Sequence, residues 1–203
     1  LSEQGYLGQR RFDPDGAQQY INNLAGAPGG PSAMAVHNRA MNIVVNGASD
    51  RFPDGTEAYY ARAYRQTFEA ENIRDPSAAQ RYIDNLDAAP NGAAMRAVHN
   101  RAVAAIVDDG GDTLPQNLQP AYARALRLSL DQAGADTPAE ALSHVRNLTD
   151  GRQVQSVAAL HQRAFDSVVQ SAVSSIDEPS RPAYTQALRE SLDAGGRGGV
   201  AEA

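Results

Sequence analysis

The 203-residue chain contains no Cys, no Trp and no Lys. Without Cys there is no disulfide framework, no thiolate nucleophile and no Cys-ligated zinc or iron–sulfur centre. No apolar run approaches the roughly 18 residues that a membrane span needs, and no charged-then-apolar signal peptide is present. The chain opens on Leu1 rather than Met, so the missing signal leaves its compartment open. Positive charge is also scarce, with 18 basic against 24 acidic residues and a formal net charge of -6. That balance argues against generic binding to nucleic-acid phosphates or to anionic membrane.

All 18 basic residues are Arg. Genomic bias towards Arg is one source of this, and selection against Lys is another. Lys is the acceptor for ubiquitin, so a Lys-free protein working in eukaryotic cytosol escapes that tagging.

What the chain does have is self-similarity at a fixed step of 62 residues. AVHNRA at 35–40 returns as AVHNRA at 97–102 and as ALHQRA at 159–164. The same offset carries YINNL (20–24) to YIDNL (82–86) and HVRNL (144–148), and YARAYRQTF (60–68) to YARALRLSL (122–130) and YTQALRESL (184–192). Three anchors sharing one offset read as three tandem units, 13–74, 75–136 and 137–198, flanked by a leader at 1–12 and a Gly-rich tail at 199–203 that reads as disordered.

Each unit reads as three helices. The first starts with a capping residue followed by Pro, as Asp13-Pro14, Asp75-Pro76 and Thr137-Pro138. Its apolar positions are Ala17, Tyr20, Ile21 and Leu24, with equivalents at 79, 82, 83, 86 and at 141, 144, 145, 148. Gly/Pro-rich loops end it in the first two units, and a turn at Asp150-Gly151 does so in the third. A second helix over 32–46 carries Ala33, Val36, Ala40, Met41 and Val44 as its stripe. The turn after it holds one apolar residue per unit, Phe52, Leu114 or Ile176, expected to tuck onto the core. The third helix presents Tyr60, Ala63, Tyr64, Thr67 and Phe68, matched by residues starting at Tyr122 and Tyr184. Strand signals are scarce, so the expected class is all-α, with the units stacked as a short α-solenoid or helical bundle array. The period differs from those of tetratricopeptide, ankyrin and HEAT/armadillo repeats, and none of their signatures appears.

His37, His99 and His161 recur with Arg39, Arg101 and Arg163 two residues on. Equivalent positions of stacked helices lie about 8–10 Å or more apart, whereas Zn–N bonds are about 2 Å, so the three imidazoles are expected to serve structure rather than a shared metal. Asn23, Asn85 and Asn147 are read as braces for the loops that follow. Tyr60, Tyr122 and Tyr184 complete the structural set. Two Arg ladders, 39/101/163 and 65/127/189, are the candidates for binding carboxylates or phosphates on a partner. Arg65, Arg127 and Arg189 also have Glu69, Asp131 and Asp193 four residues on, a spacing that allows pairing along the helix.

Nucleic acid is not an expected partner: the units carry 5 Arg against 7 acids, 5 against 8 and 6 against 7, each net negative. The acidic Gly-containing loops lack the ligand spacing of an EF-hand. No GxSxG, HExxH, Walker A or GxGxxG motif occurs, and catalytic sites ordinarily break internal symmetry. The expectation is a non-catalytic module without cofactor or metal that binds another protein. Combined with the missing Lys, it points to a secreted bacterial effector acting on a host protein. The alternative is a bacterial structural or assembly protein that self-associates, placed in the bacterial cytoplasm. An enzyme with a carboxylate-based site ranks behind both.

Overall fold

A computed structural model describes residues 14–111, 116–149 and 154–195. Among the described residues there are nine α-helices and no strand. The leader, Asp13, Leu114, the Asp150-Gly151 turn and the Gly-rich tail lie outside them. In chain order the helices are α1 (Pro14–Gly26), α2 (Pro31–Ser49), α3 (Glu57–Ala70), α4 (Pro76–Ala88), α5 (Ala93–Gly111), α6 (Gln119–Ala133), α7 (Pro138–Thr149), α8 (Val154–Ala172) and α9 (Arg181–Ala194).

The helix starts are written in local chemistry. Pro at the first helical position of α2 and α4 loses no hydrogen bond, because the N–H it lacks would have had no partner there. The Asp75 carboxylate accepts from the Ala78 N–H at 2.9 Å. At α7 the cap is reciprocal: the Glu140 N–H donates to Thr137 Oγ1, and the Thr137 N–H donates back to the Glu140 carboxylate at 3.1 Å. The Thr137 hydroxyl also donates to the Glu140 carboxylate at 2.8 Å, and this bond, with that from the Thr137 N–H, holds the Glu140 carboxyl below the usual carboxylate range. Gly134, at φ +64°, ends α6 in the left-handed conformation that a residue without Cβ adopts most readily. The middle helix is longer than its apolar stripe indicates, Pro31–Ser49 against the expected 32–46.

Packing runs across the 74/75 and 136/137 divisions as well as within them, where α2 packs on α3 and α5 on α6. α3 lies against α5 and α2 against α4; α6 lies against α8 and α5 against α7. One core joins α2 and α3 to α4 and the first half of α5, through Val45, Tyr64, Phe68, Ile83, Val98 and Ala102. The other joins the second half of α5 and α6 to α7 and α8, through Ile106, Leu126, Val145, Leu160 and Phe165. Each such aliphatic side chain, fully removed from water, contributes about 1.5–3 kcal/mol. α5 comes close to α7 at Gly110, where a Cβ would stand 2.7 Å from Val145 Cγ1. Short loop ornaments close the first core: Phe52 stacks on Tyr60 with ring centroids 3.5 Å apart.

The first and last helices depart from the expected pattern. The face of α1 carrying Ala17, Tyr20, Ile21 and Leu24 was expected to enter the core, yet α1 has no buried residue. Its counterparts in α4 bury Ala79, Ile83 and Leu86. The physical reason is the packing order: α4 and α7 bury their faces against α2 and α5, helices that precede them in the chain. Among the described residues nothing precedes α1. Likewise α9 has no buried residue, whereas α3 and α6 bury the same positions against α5 and α8.

Candidate functional site

The three recurring imidazoles lie on α2, α5 and α8, in unequal surroundings. His99 meets the Tyr60 ring edge-on at 5.7 Å and the Phe52 ring at 6.3 Å. Burial there pushes its imidazole below its ordinary value. His161 meets Tyr122 edge-on at 5.5 Å. His37 is exposed and donates from Nε2 to the Arg74 carbonyl instead. Among the described residues no group of three His, Asp or Glu side chains stands at metal-ligand spacing.

The first Arg ladder divides in the same way. Arg101 on α5 donates to Thr67 Oγ1 on α3 at 3.2 Å, and Arg163 on α8 donates to Gln132 on α6. Both guanidinium groups therefore tie one helix to an earlier one, α5 to α3 and α8 to α6. Arg39 is exposed and makes no hydrogen bond or ion pair with a described residue. The second ladder does not pair along its own helix. Arg65 donates to Asn42 at 3.3 Å, Arg127 approaches Asp108 at 3.9 Å, and Arg189 pairs with Asp166 at 2.9 Å. These reach back to the preceding helix because that helix lies alongside. As exposed pairs they contribute about 0–1 kcal/mol each.

Asn23 and Asn85 are exposed and make no hydrogen bond to the loops after α1 and α4, where a brace was expected. Their amides face water, which satisfies them without the loop. Asn147 is exposed as well, and the loop after it lies outside the described residues. Tyr60 and Tyr122 are buried, while Tyr184 is 55% exposed.

Sequence reasoning missed one nucleophile–base contact: Ser129 Oγ lies 2.8 Å from His144 Nε2. His144 stands where α4 has Tyr82. Desolvation, with the Arg163 guanidinium adding, lowers its imidazole, so the neutral ring pairs with the hydroxyl. Ser129 is only 5% exposed, and no described carboxylate bonds the other ring nitrogen, so the pair ties α6 to α7. The 62-residue alignment carries the signal, since a polar ring replaces Tyr opposite a hydroxyl position.

The surface that stands out is apolar. On α1 and α2, Tyr20, Ile21, Met34, Val36 and Ile43 are exposed, Ile21 at 56% and Val36 at 40%. Their counterparts Ile83 and Val98 are both fully buried. Beside this face an open groove of about 770 Å³ runs between α2 and α3, lined by Met34, His37, Met41, Arg65, Phe68 and Arg74. At the other end of the chain, Tyr184 is exposed, and Leu188 and Leu192 are half-covered by the second core. An apolar surface of this kind is typical of a contact site. No family model, curated protein or solved structure matches this chain.

Proposed function

We propose that the chain is a short stacked array of three helical units of about 62 residues, and that it works as a non-catalytic module binding another protein through its two end faces. One observation carries this reading: side chains buried in the middle of the molecule stand in water, at equivalent positions, on α1, α2 and α9. Helical arrays that end in water ordinarily close with units whose outer face is polar. Here the outermost faces keep the apolar residues of the inner ones. The Arg ladders contribute through Arg39 alone, because the other five guanidinium groups have partners within the chain.

The test is capture on the immobilised chain, comparing the wild type with Ile21→Arg and Tyr184→Arg. Both side chains are exposed, so the fold tolerates the changes. Bound protein lost from one of the variants supports the reading, and binding that survives both changes removes it.

The complete absence of Lys favours a second reading of where the module works, as a bacterial protein delivered into a eukaryotic host. Arg39, Arg65 and Arg127 are exposed, so Lys can be installed there without disturbing the cores. A shortened half-life of the triple Lys variant in eukaryotic cytosol supports host residence, and unchanged turnover removes the ubiquitin argument.

A further inference from the structure

Resting on the module reading, we propose that the partner on both end faces is a second copy of this chain, docked head to tail, with α1 and α2 of one copy on α8 and α9 of the next. The contact required is one that the molecule already makes twice. α4 and α5 dock on α2 and α3, and α7 and α8 dock on α5 and α6. A third repetition of that contact needs α1 and α2 as the incoming pair and α8 and α9 as the receiving pair, which are the helices left open.

The residues on both sides are those used inside. The incoming face of α2, AVHNRA at 35–40, is identical to the stretch at 97–102 that α5 lays on α3. The receiving face of α9 has Tyr184, Ala187, Leu188, Ser191 and Leu192, the same residue types as Tyr122, Ala125, Leu126, Ser129 and Leu130, which α6 presents to α8.

Individual contacts have vacant halves of matching kind. His99 and His161 sit edge-on against Tyr60 and Tyr122; among the described residues His37 has no aromatic ring stacked on or edge-on to it, and Tyr184 no imidazole. Arg101 reaches the hydroxyl of Thr67, while Arg39 lacks a partner among the described residues and Ser191 offers a hydroxyl at the Thr67 position. Ile83 is fully buried against the preceding pair, and Ile21 stands exposed with no described helix preceding α1. A head-to-head pairing would bring Arg39 of one copy to Arg39 of the other, which head to tail avoids. Such a contact is heterologous, so two copies do not close it, and it continues into a ring or a filament.

Sedimentation velocity from about 1 μM to about 1 mM, the range that resolves weak to moderate affinity, tests the proposal. The wild-type chain is expected to rise in mass with concentration past the dimer. Val36→Arg breaks the head and Tyr184→Arg breaks the tail, so each alone should stay monomeric, with association weakened at least about tenfold. Mixed in equal amounts they should give a 1:1 dimer and nothing larger, since each retains the face the other has lost. Circular dichroism checks that both variants keep the wild-type helix content. A wild-type chain monomeric throughout, a Tyr184→Arg variant that still dimerises, or a mixture that stays monomeric would each overturn the head-to-tail contact. If the wild type is monomeric while Ile21→Arg or Tyr184→Arg loses a different captured protein, self-docking fails and the module reading stands. If neither variant loses binding, both fail.

Discussion

The hexapeptide AVHNRA occurs twice, and the two copies live in different solvents. At 97–102 its Val and last Ala are fully buried, its His is half-buried against two aromatic rings and its Arg bonds Thr67. At 35–40 the same Val, His and Arg are exposed. Identical local sequence yields identical helix in both places, so the difference lies wholly in what stands opposite. Helix formation is a local matter, settled by capping and propensity within a few residues. Burial is a matter of neighbours, and the neighbour of α5 is α3, while among the described residues α2 has no counterpart of α3 before it.

The sharpest way to break this comparison is to make one substitution in both copies. Val98→Asp places an unpaired carboxylate in the first core and should cost about 3–5 kcal/mol in urea unfolding. Val36→Asp, in the identical hexapeptide, should stay within about 0.5 kcal/mol. Equal effects would mean that α2 is covered. Hydrogen exchange sharpens the same contrast along the chain. Amides of α1 should exchange through openings costing close to 0 kcal/mol, while those of α4 should require nearly the full unfolding free energy. Protection of α1 that grows with protein concentration would mark docking of another copy on it.

Smaller effects probe single groups. Asp75→Ala removes the cap of α4 and should lose about 1 kcal/mol, measured by thermal or chemical unfolding. Tyr64→Phe should do the opposite. The Tyr64 hydroxyl is buried without a partner, and desolvation pushes it up to about 12. Leu126 and Leu188 occupy the matching positions without a hydroxyl. Deleting the hydroxyl should raise stability by about 1 kcal/mol, and a loss would show that it has a partner.

The weakest expected effect is on pH dependence. Burial holds His99 and His144 below their usual value of 6.5. Between that value and the lower folded-state one, the unfolded chain binds more protons than the folded chain. Stability therefore rises with pH across this window and declines as pH falls below about 6.5. A His99→Gln/His144→Gln variant should show a flatter melting temperature between pH 7 and pH 5. A slope equal to that of the wild type would assign the dependence to other groups.

Much of the fold is legible without coordinates. Pro after Asp75 and after Thr137 marks the starts of α4 and α7, and the i, i+3, i+4, i+7 spacing of Ala79, Tyr82, Ile83 and Leu86 marks the face that α4 buries. The candidate site is legible only in part. The Arg39/101/163 ladder reads as three equivalent cations, yet two of them bond side chains of α3 and α6. The Asn positions read as braces because Asn bonds backbone readily, but periodicity carries no information on whether a loop carbonyl comes within reach. Ser129 and His144, 15 residues apart, give no motif, because the contact depends on how α6 meets α7.

The sequence by itself determined the helices, their starts and their apolar stripes, since each of these depends on residues within a turn or two of one another. Only the tertiary structure decided which stripes are buried. The cores form between α2–α3 and α4–α5 and again between α5–α6 and α7–α8. Burial of one face requires a second surface at van der Waals distance, and spacing along a chain does not say whether that surface is present.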